Sequence, residues 1–466
     1  MEKYDVLILG AGPGGYLLAE RIGKKRKTAI IEKQWFGGTC LNVGCIPSKA
    51  LLYSRKVLDY AHNGSNYGVE IDGVKFNHQK VLDRKDAVVK MLVNGVEAKV
   101  KANKVKIFKG IGKIIKKDVD GFHVAVNDDV IVATNLVIAT GSVSSVPQIK
   151  GLSERMGNKD KIMTNIEILS MKKLPENLLI IGGGVIGLEM AAYFRSIVPT
   201  LNVVEFQDHI AGPTDHEISQ QLLKYYETKN INFYLSSAVT EIKDNVVIIK
   251  DLKSGQESEL PYEKILIATG RSPFIGDLGL ENINIYVEKN AIVTDERCKT
   301  NVANVYAIGD VNGKSMLAHT AYREAEVVMN QLLGKTYDYI DYDTIPSVIY
   351  TQPEIAAVGQ TEEALKAANI PYEVRKLPMI YSGRFVSELI DYETNKTEYN
   401  GLIKMLVHQK TRQILGLHAL GQYATEIISI ASVIVTKKMT VDLAKDLVMP
   451  HPTIAELIHE LIMEEK

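Results

Sequence analysis

The chain has 466 residues, of which 46% are hydrophobic and 24% charged, and its formal net charge is -1. That length suffices for about three domains with cores of their own. The even charge balance excludes the strongly basic surface of a nucleic-acid binder, and 3 cysteines are too few for a secreted disulfide framework.

The opening MEKYDVLILGAGPGG lacks the basic start and cleavage site of a signal peptide and the Arg/Ser-rich character of a transit peptide. No apolar stretch reaches the length of a membrane span; the longest, IISIASVIV, stops at Lys437. The expected location is cytoplasmic. YDVLIL predicts a short buried strand, GAGPGG a loop, YLLAERIGKK a helix and TAIIEK the next strand. KKRK at 24–27 suits a helix C-terminus, where cations complement the dipole.

GGTCLNVGCIPSK, residues 37–49, holds Cys40 and Cys45. On a regular helix these positions point about 140° apart with a rise of about 7.5 Å, too far for a disulfide. A bridge therefore requires distortion at the start of the segment, which Gly44 and Pro47 permit. A zinc site would need further ligands, and Cys298 has no histidine near it in sequence. A structural bridge over so short a loop gains little entropy. A redox-active pair fits best, since the segment follows a dinucleotide loop and a helix N-terminus lowers a thiol pKa. Further on, eight lysines between 99 and 117 alternate with apolar residues, predicting solvated strand edges.

The first unit recurs about 170 residues later as LLIIGGGVIGLEMAAYFRSI and LNVVEFQ, an internal repeat that implies two dinucleotide-binding domains. Gly10, Gly12 and Gly15 form one G-x-G-x-x-G, and Gly182, Gly184 and Gly187 the other. The spacing serves a tight turn, close backbone approach to a pyrophosphate and helix–strand packing, with the helix N-terminus facing the phosphates. Glu32 and Glu205, about 20 residues on, end the following strands, where a carboxylate accepts bonds from a ribose diol. After Glu205 come Phe206, Gln207, Asp208 and His209, with no arginine for a 2′-phosphate, which favours NAD over NADP.

LVIATGS and ILIATGR echo each other near the ends of the second unit, which suggests that it is inserted in the first. The first then resumes at VYAIGD. Beyond about residue 345, PSVIYT and GLIKMLV predict strands, while ATEIISIASVIVTKK and TIAELIHELIMEE predict helices. The expected fold is α/β: two Rossmann-like dinucleotide-binding domains, one inserted in the other, plus a C-terminal α+β dimerisation domain.

With these motifs in this order, the chain resembles the class I FAD-dependent pyridine nucleotide–disulfide oxidoreductases over nearly its whole length. Within that family the likeness is strongest to members that oxidise dihydrolipoyl groups. The resemblance implies an FAD-binding domain at 1–149, an NAD-binding domain at 150–270, a central domain at 271–345 and an interface domain at 346–466. It implies one non-covalent FAD per subunit, held by Gly10, Gly12, Gly15, Glu32, Lys49, Gly141, Asp310 and Ala318. NAD would meet Gly182, Gly184, Gly187, Glu205 and Gly270. Lys49 and Glu189 would pair beside the flavin. No metal is expected.

The resemblance also implies a reaction. A substrate thiolate attacks Cys40, the second substrate thiol closes its own disulfide, and Cys45 passes the electrons to FAD and on to NAD. His451 is the expected base, oriented by Glu456, and completes the site of the neighbouring subunit in a homodimer. His451-Pro452 is a candidate cis peptide. A lipoyl-bearing protein of a 2-oxo acid dehydrogenase or glycine-cleavage complex is the expected partner. Three stretches depart from the family pattern: Met449-Pro450, where many members carry a histidine, Phe274, where asparagine is common, and RKLPMIYSGRF. The alternatives are an NADH-dependent reductase of another small disulfide, or a non-catalytic flavin-binding subunit.

Overall fold

The computed structural model describes residues 2–389 and 401–464. The chain divides into two compact units, one built from residues 1–50, 82–145 and 271–342, the other from residues 51–81, 146–270 and 343 onward.

In the first unit, among the described residues, a seven-stranded sheet is centred on strand Lys3–Leu9. This strand runs parallel to Thr28–Glu32 on one side and to Asp129–Ile138 on the other. Its apolar run does not alternate with polar residues because both faces are covered. Val6 and Ile8 pack with Leu18, Ala19 and Ile22 of helix Pro13–Ile22, while Leu7 and Leu9 join Phe122, Val124, Leu278 and Ile292 on the opposite face. A side-chain period of two thus feeds two separate cores.

Strand Val305–Ala307 adds parallel to the end of Asp129–Ile138, pairing Val305 with Leu136 and Ala307 with Ile138. VYAIGD therefore returns to the first sheet, as the two echoing segments suggest. Ser142–Ser144 pairs antiparallel with Arg271–Pro273, so the chain leaves and re-enters this unit side by side.

The lysine-rich stretch departs from expectation. Lys99 and Lys101 lie in the last turn of helix His78–Ala102, Lys104 sits in the turn that follows, and only the remaining five fall on strands Lys106–Lys109 and Lys113–Asp118. All eight are exposed. The helix wins the first part because its apolar positions, including Leu82 and the fully buried Val100, recur on one face. KKRK follows the end of helix Pro13–Ile22, and Arg26 donates to the carbonyl of Leu332 at the end of helix Ala318–Leu332.

The second unit holds a five-stranded parallel sheet whose central strands are Thr200–Val204, Asn177–Ile181 and Lys264–Ile267. It also holds a five-stranded antiparallel sheet that includes Glu354–Gly359, Ile414–Gly421 and Leu402–His408. Helices Ala424–Thr436 and Glu456–Met463 share the core of that second sheet, burying Ile427, Ile428, Leu457 and Ile458 against Ile403 and Met405. IISIASVIV is thus core helix. No helix among the described residues is long and apolar enough to cross a membrane. Lys404 is 1% exposed and lies 3.0 Å from both oxygens of Asp215, itself 0% exposed, and 3.2 Å from Glu217; it also pairs with Glu362.

Candidate active site

The two glycine loops are built alike. Gly10 has φ +104°, and a Cβ there would lie 2.3 Å from the carbonyl oxygen of Ala139. A Cβ on Gly15 would lie 1.9 Å from the oxygen of Gly10. In the second loop Gly182 has φ +109° with Ala268 O at 2.4 Å, and Gly187 meets Gly182 O at 2.0 Å. Neither pair tolerates a side chain. By contrast Gly12 and Gly184, which cap helices Pro13–Ile22 and Val185–Phe194, have nothing within 4 Å of a Cβ position. Those two helix N-termini therefore face open space that a phosphate can enter.

Each loop is fastened by its acidic residue. Glu32 accepts from Ala11 N at 2.7 Å and Gln34 N at 2.8 Å, while Glu205 accepts from Gly183 N at 2.5 Å and Gln207 N at 2.8 Å. A carboxylate has about four acceptor sites, so capacity for a ribose diol remains. Gly141 and Gly270 each follow the end of a strand at positive φ, +72° and +105°, with open space beside them.

Asp310 lies on the short turn Gly309–Asn312. Its Oδ2 accepts from the Ser142 hydroxyl, and Arg271 Nε stands 4.0 Å from it. Arg271 donates to both the hydroxyl and the carbonyl of Ser142 at 2.7 Å. Sequence reasoning missed Ser142 and Arg271, although they end the quoted segments IATGS and IATGR. Ala318 opens helix Ala318–Leu332, as expected.

Gly44 separates helix Gly38–Val43 from helix Cys45–His62, with φ -146° and ψ -113°. A Cβ there would lie 2.9 Å from Thr39 O. The break removes the i, i+5 geometry of a continuous helix and brings the thiols of Cys40 and Cys45 into hydrogen-bonding contact. That shared hydrogen bond and burial push the Cys40 thiol well above its ordinary range, against the pull of Lys49. The expectation of a lowered pKa is thus corrected for Cys40: two adjacent thiols cannot readily ionise together. Cys45 opens its helix, and Lys49 follows one turn on. The hydroxyls of Tyr16 and Tyr322 hydrogen-bond to each other within electrostatic reach of both thiols, a pair that the sequence did not single out.

In the second unit, Glu189 lies on helix Val185–Phe194, is 4% exposed and accepts from Tyr350 N at 3.1 Å. His451 precedes a cis peptide to Pro452. Its Nδ1 lies 2.8 Å from Glu456 Oε1, and Glu456 Oε2 accepts from Thr453 N at 2.7 Å. Those two bonds, the Thr453 amide first, hold the Glu456 carboxyl below its usual range. The His451 side chain is 82% exposed. The arrangement offers an oriented, accessible imidazole that can exchange a proton with a molecule arriving from outside.

Residues 4–325 match the description "Pyridine nucleotide-disulphide oxidoreductase". The chain belongs to this family. Residues 345–462 match the dimerisation domain of the pyridine nucleotide-disulphide oxidoreductases, and the chain acts as a homodimeric enzyme. It is similar to dihydrolipoyl dehydrogenase of Mycoplasma pneumoniae, 34% identical over 463 residues and covering 98% of each chain. Dihydrolipoyl dehydrogenase of Bacillus subtilis is also 34% identical, over 98% of this chain and 97% of that one. Among solved structures, the HOCl-induced flavoprotein disulfide reductase RclA of Escherichia coli shares the fold with a TM-score of 0.84, at 25% identity over 99% of this chain. Two open glycine loops, each with an acidic latch, fit the dinucleotides that this family employs.

Proposed function

We propose that this protein is a dihydrolipoyl dehydrogenase that uses FAD and NAD. The observation that carries this reading is the thiol pair Cys40–Cys45 at a helix break, directly downstream of an open glycine loop. Full-length likeness to proteins of that name supports it. The chain is read in four parts: FAD-binding (1–149), NAD-binding (150–270), central (271–345) and interface (346–466).

In the oxidised enzyme Cys40 and Cys45 form a disulfide. One thiol of the dihydrolipoyl group loses its proton to His451 of the partner subunit, and the thiolate attacks Cys40 Sγ. The S–S bond breaks, Cys45 leaves as thiolate, and a mixed disulfide joins substrate to Cys40. The second substrate thiol then displaces Cys40, closing the lipoyl disulfide and leaving two reduced cysteines. Glu456 keeps Nδ1 of the imidazole engaged, so that Nε2 faces the proton to be moved. Lys49 offsets the negative charge that builds on the thiol pair.

The bound flavin supplies the two-electron transfer between this dithiol and the nicotinamide. Gly10, Gly12, Gly15, Glu32, Gly141, Asp310 and Ala318 would hold it, Lys49 and Glu189 would flank it, and Gly182, Gly184, Gly187, Glu205 and Gly270 would hold NAD. The partner is a lipoyl-bearing protein of a 2-oxo acid dehydrogenase or glycine-cleavage complex. Scarcity of cysteine outside the pair suits a reducing, cytoplasmic setting.

The test is the rate of NAD reduction with dihydrolipoamide as donor and NADP as parallel acceptor. Fast, NAD-selective turnover is expected. An FAD-loaded protein that instead reduces another small disulfide with NADH would replace lipoamide as the substrate.

A further inference from the structure

Glu324 lies within helix Ala318–Leu332 and is 0% exposed. Three neutral donors hydrogen-bond its carboxylate, while the nearby Lys314 ammonium, 4.9 Å from the centre of the Tyr342 ring, acts on it only through its charge. Gly309 N donates to Oε2 at 2.5 Å, while Asn312 Nδ2 and the Tyr342 hydroxyl donate to Oε1 at 2.7 and 2.6 Å. Tyr342 is in turn hydrogen-bonded to the thiol of Cys298, also 0% exposed. Burial raises the Glu324 carboxyl above its ordinary range.

Burying a carboxylate that no cation bonds directly is costly, and an apolar side chain of similar volume would pack there without that cost. What the carboxylate does that an apolar group cannot is tie two elements together. Gly309 and Asn312 are the two ends of the turn that carries Asp310. Glu324 is fixed to the helix that begins at Ala318. Ser142 and Arg271 hold the carboxylate of Asp310 from the other side.

We infer that Glu324 is a positioning residue for the flavin, locking the Asp310 turn and the N-terminal end of helix Ala318–Leu332 into one rigid element. This rests on the flavin-binding role proposed above for Asp310 and Ala318. Glu324 acts through Asp310, and Tyr342 steadies Glu324.

The test uses Glu324→Gln and Tyr342→Phe. The amide introduced by Glu324→Gln would turn an NH2 toward either Gly309 N–H or the Asn312–Tyr342 pair, leaving a buried donor unmatched whichever way it flips. Trp35 is the only tryptophan and lies three residues after Glu32, so quenching of its fluorescence reports FAD uptake by the apoprotein. The expected result for E324Q is FAD affinity weakened about tenfold or more, with a shifted flavin absorption band and potential. Y342F, which removes one of three donors, should weaken affinity by about two- to fivefold. Apoprotein thermal midpoints, measured in parallel, separate a folding defect from lost affinity. Wild-type affinity within twofold and an unshifted flavin band in E324Q overturn the inference, and the same result in Y342F overturns it where E324Q does not fold. A wild-type protein that takes up no FAD would instead remove the flavin reading, and this inference with it.

Discussion

His451 Nδ1 stands 2.8 Å from Glu456 Oε1, and the second Glu456 oxygen is occupied by the Thr453 amide at 2.7 Å. The acid is thus aimed from two sides, and the imidazole is aimed by the acid. Replacing Glu456 with Gln keeps the shape and removes the charge that supports an imidazolium. The expected outcome is a fall in kcat of about 100-fold, with FAD content unchanged. Steady-state turnover with dihydrolipoamide checks this, and a loss below about threefold would show that the contact is only structural.

The same contact carries a pH signature. Because Glu456 is held below its ordinary value of 4.5 in the fold, it favours the folded state above that value, and the contribution fades as pH falls below it. Glu362, which burial opposes but Lys404 holds down at about 2, behaves likewise between 4.5 and about 2. Stability in urea should therefore fall as the pH drops below about 4.5 and through that window. The fall should be shallower in E456Q, and a steeper one would contradict the sign.

Lys404 and Asp215 form an almost fully buried pair. Lys404→Met leaves Asp215 buried without its cation and should cost about 3–5 kcal/mol in urea denaturation. Adding Asp215→Asn should recover part of the loss, because it removes the unpaired charge. Equal stability of the single and double variants would show that the pair is not coupled.

The proposed assignment of FAD to the first glycine loop and NAD to the second can be tested loop by loop. In Gly187→Ala a Cβ would sit 2.0 Å from Gly182 O, so the second loop must open. The expected result is a KM for NAD raised about tenfold or more with FAD retained. Gly15→Ala, with its clash at 1.9 Å, should instead lose FAD. Absorbance at the flavin band and NAD titration distinguish the two, and an exchange of phenotypes would reverse the assignment of the loops.

Much of this was legible in the sequence because the constraints are local. A strand, a glycine loop and a helix in one continuous stretch leave their spacing in the chain, which is why Gly10, Glu32, Gly182 and Glu205 could be read directly. Gly44 and Pro47 likewise announced the break that joins Cys40 to Cys45. The Ser142–Arg271–Asp310 and Glu324–Tyr342 groupings were not legible, since their members lie on separate strands, turns and a helix that meet only in the folded chain. Nor was the raised pKa of Cys40: a sequence shows that a thiol stands near a helix start, but not that its neighbour shares its proton. The lysines at 99 and 101 were misplaced onto strands because alternation over so few residues does not separate a strand from the end of a long amphipathic helix.

The most direct test of the central claim is dihydrolipoamide-driven NAD reduction by FAD-loaded wild type, Cys40→Ser and Cys45→Ser proteins, with FAD content and dimer assembly measured on the same samples. The expected result is turnover in the wild type alone, with both variants still yellow and dimeric. Sustained turnover in either serine variant would contradict a relay through Cys40 and Cys45.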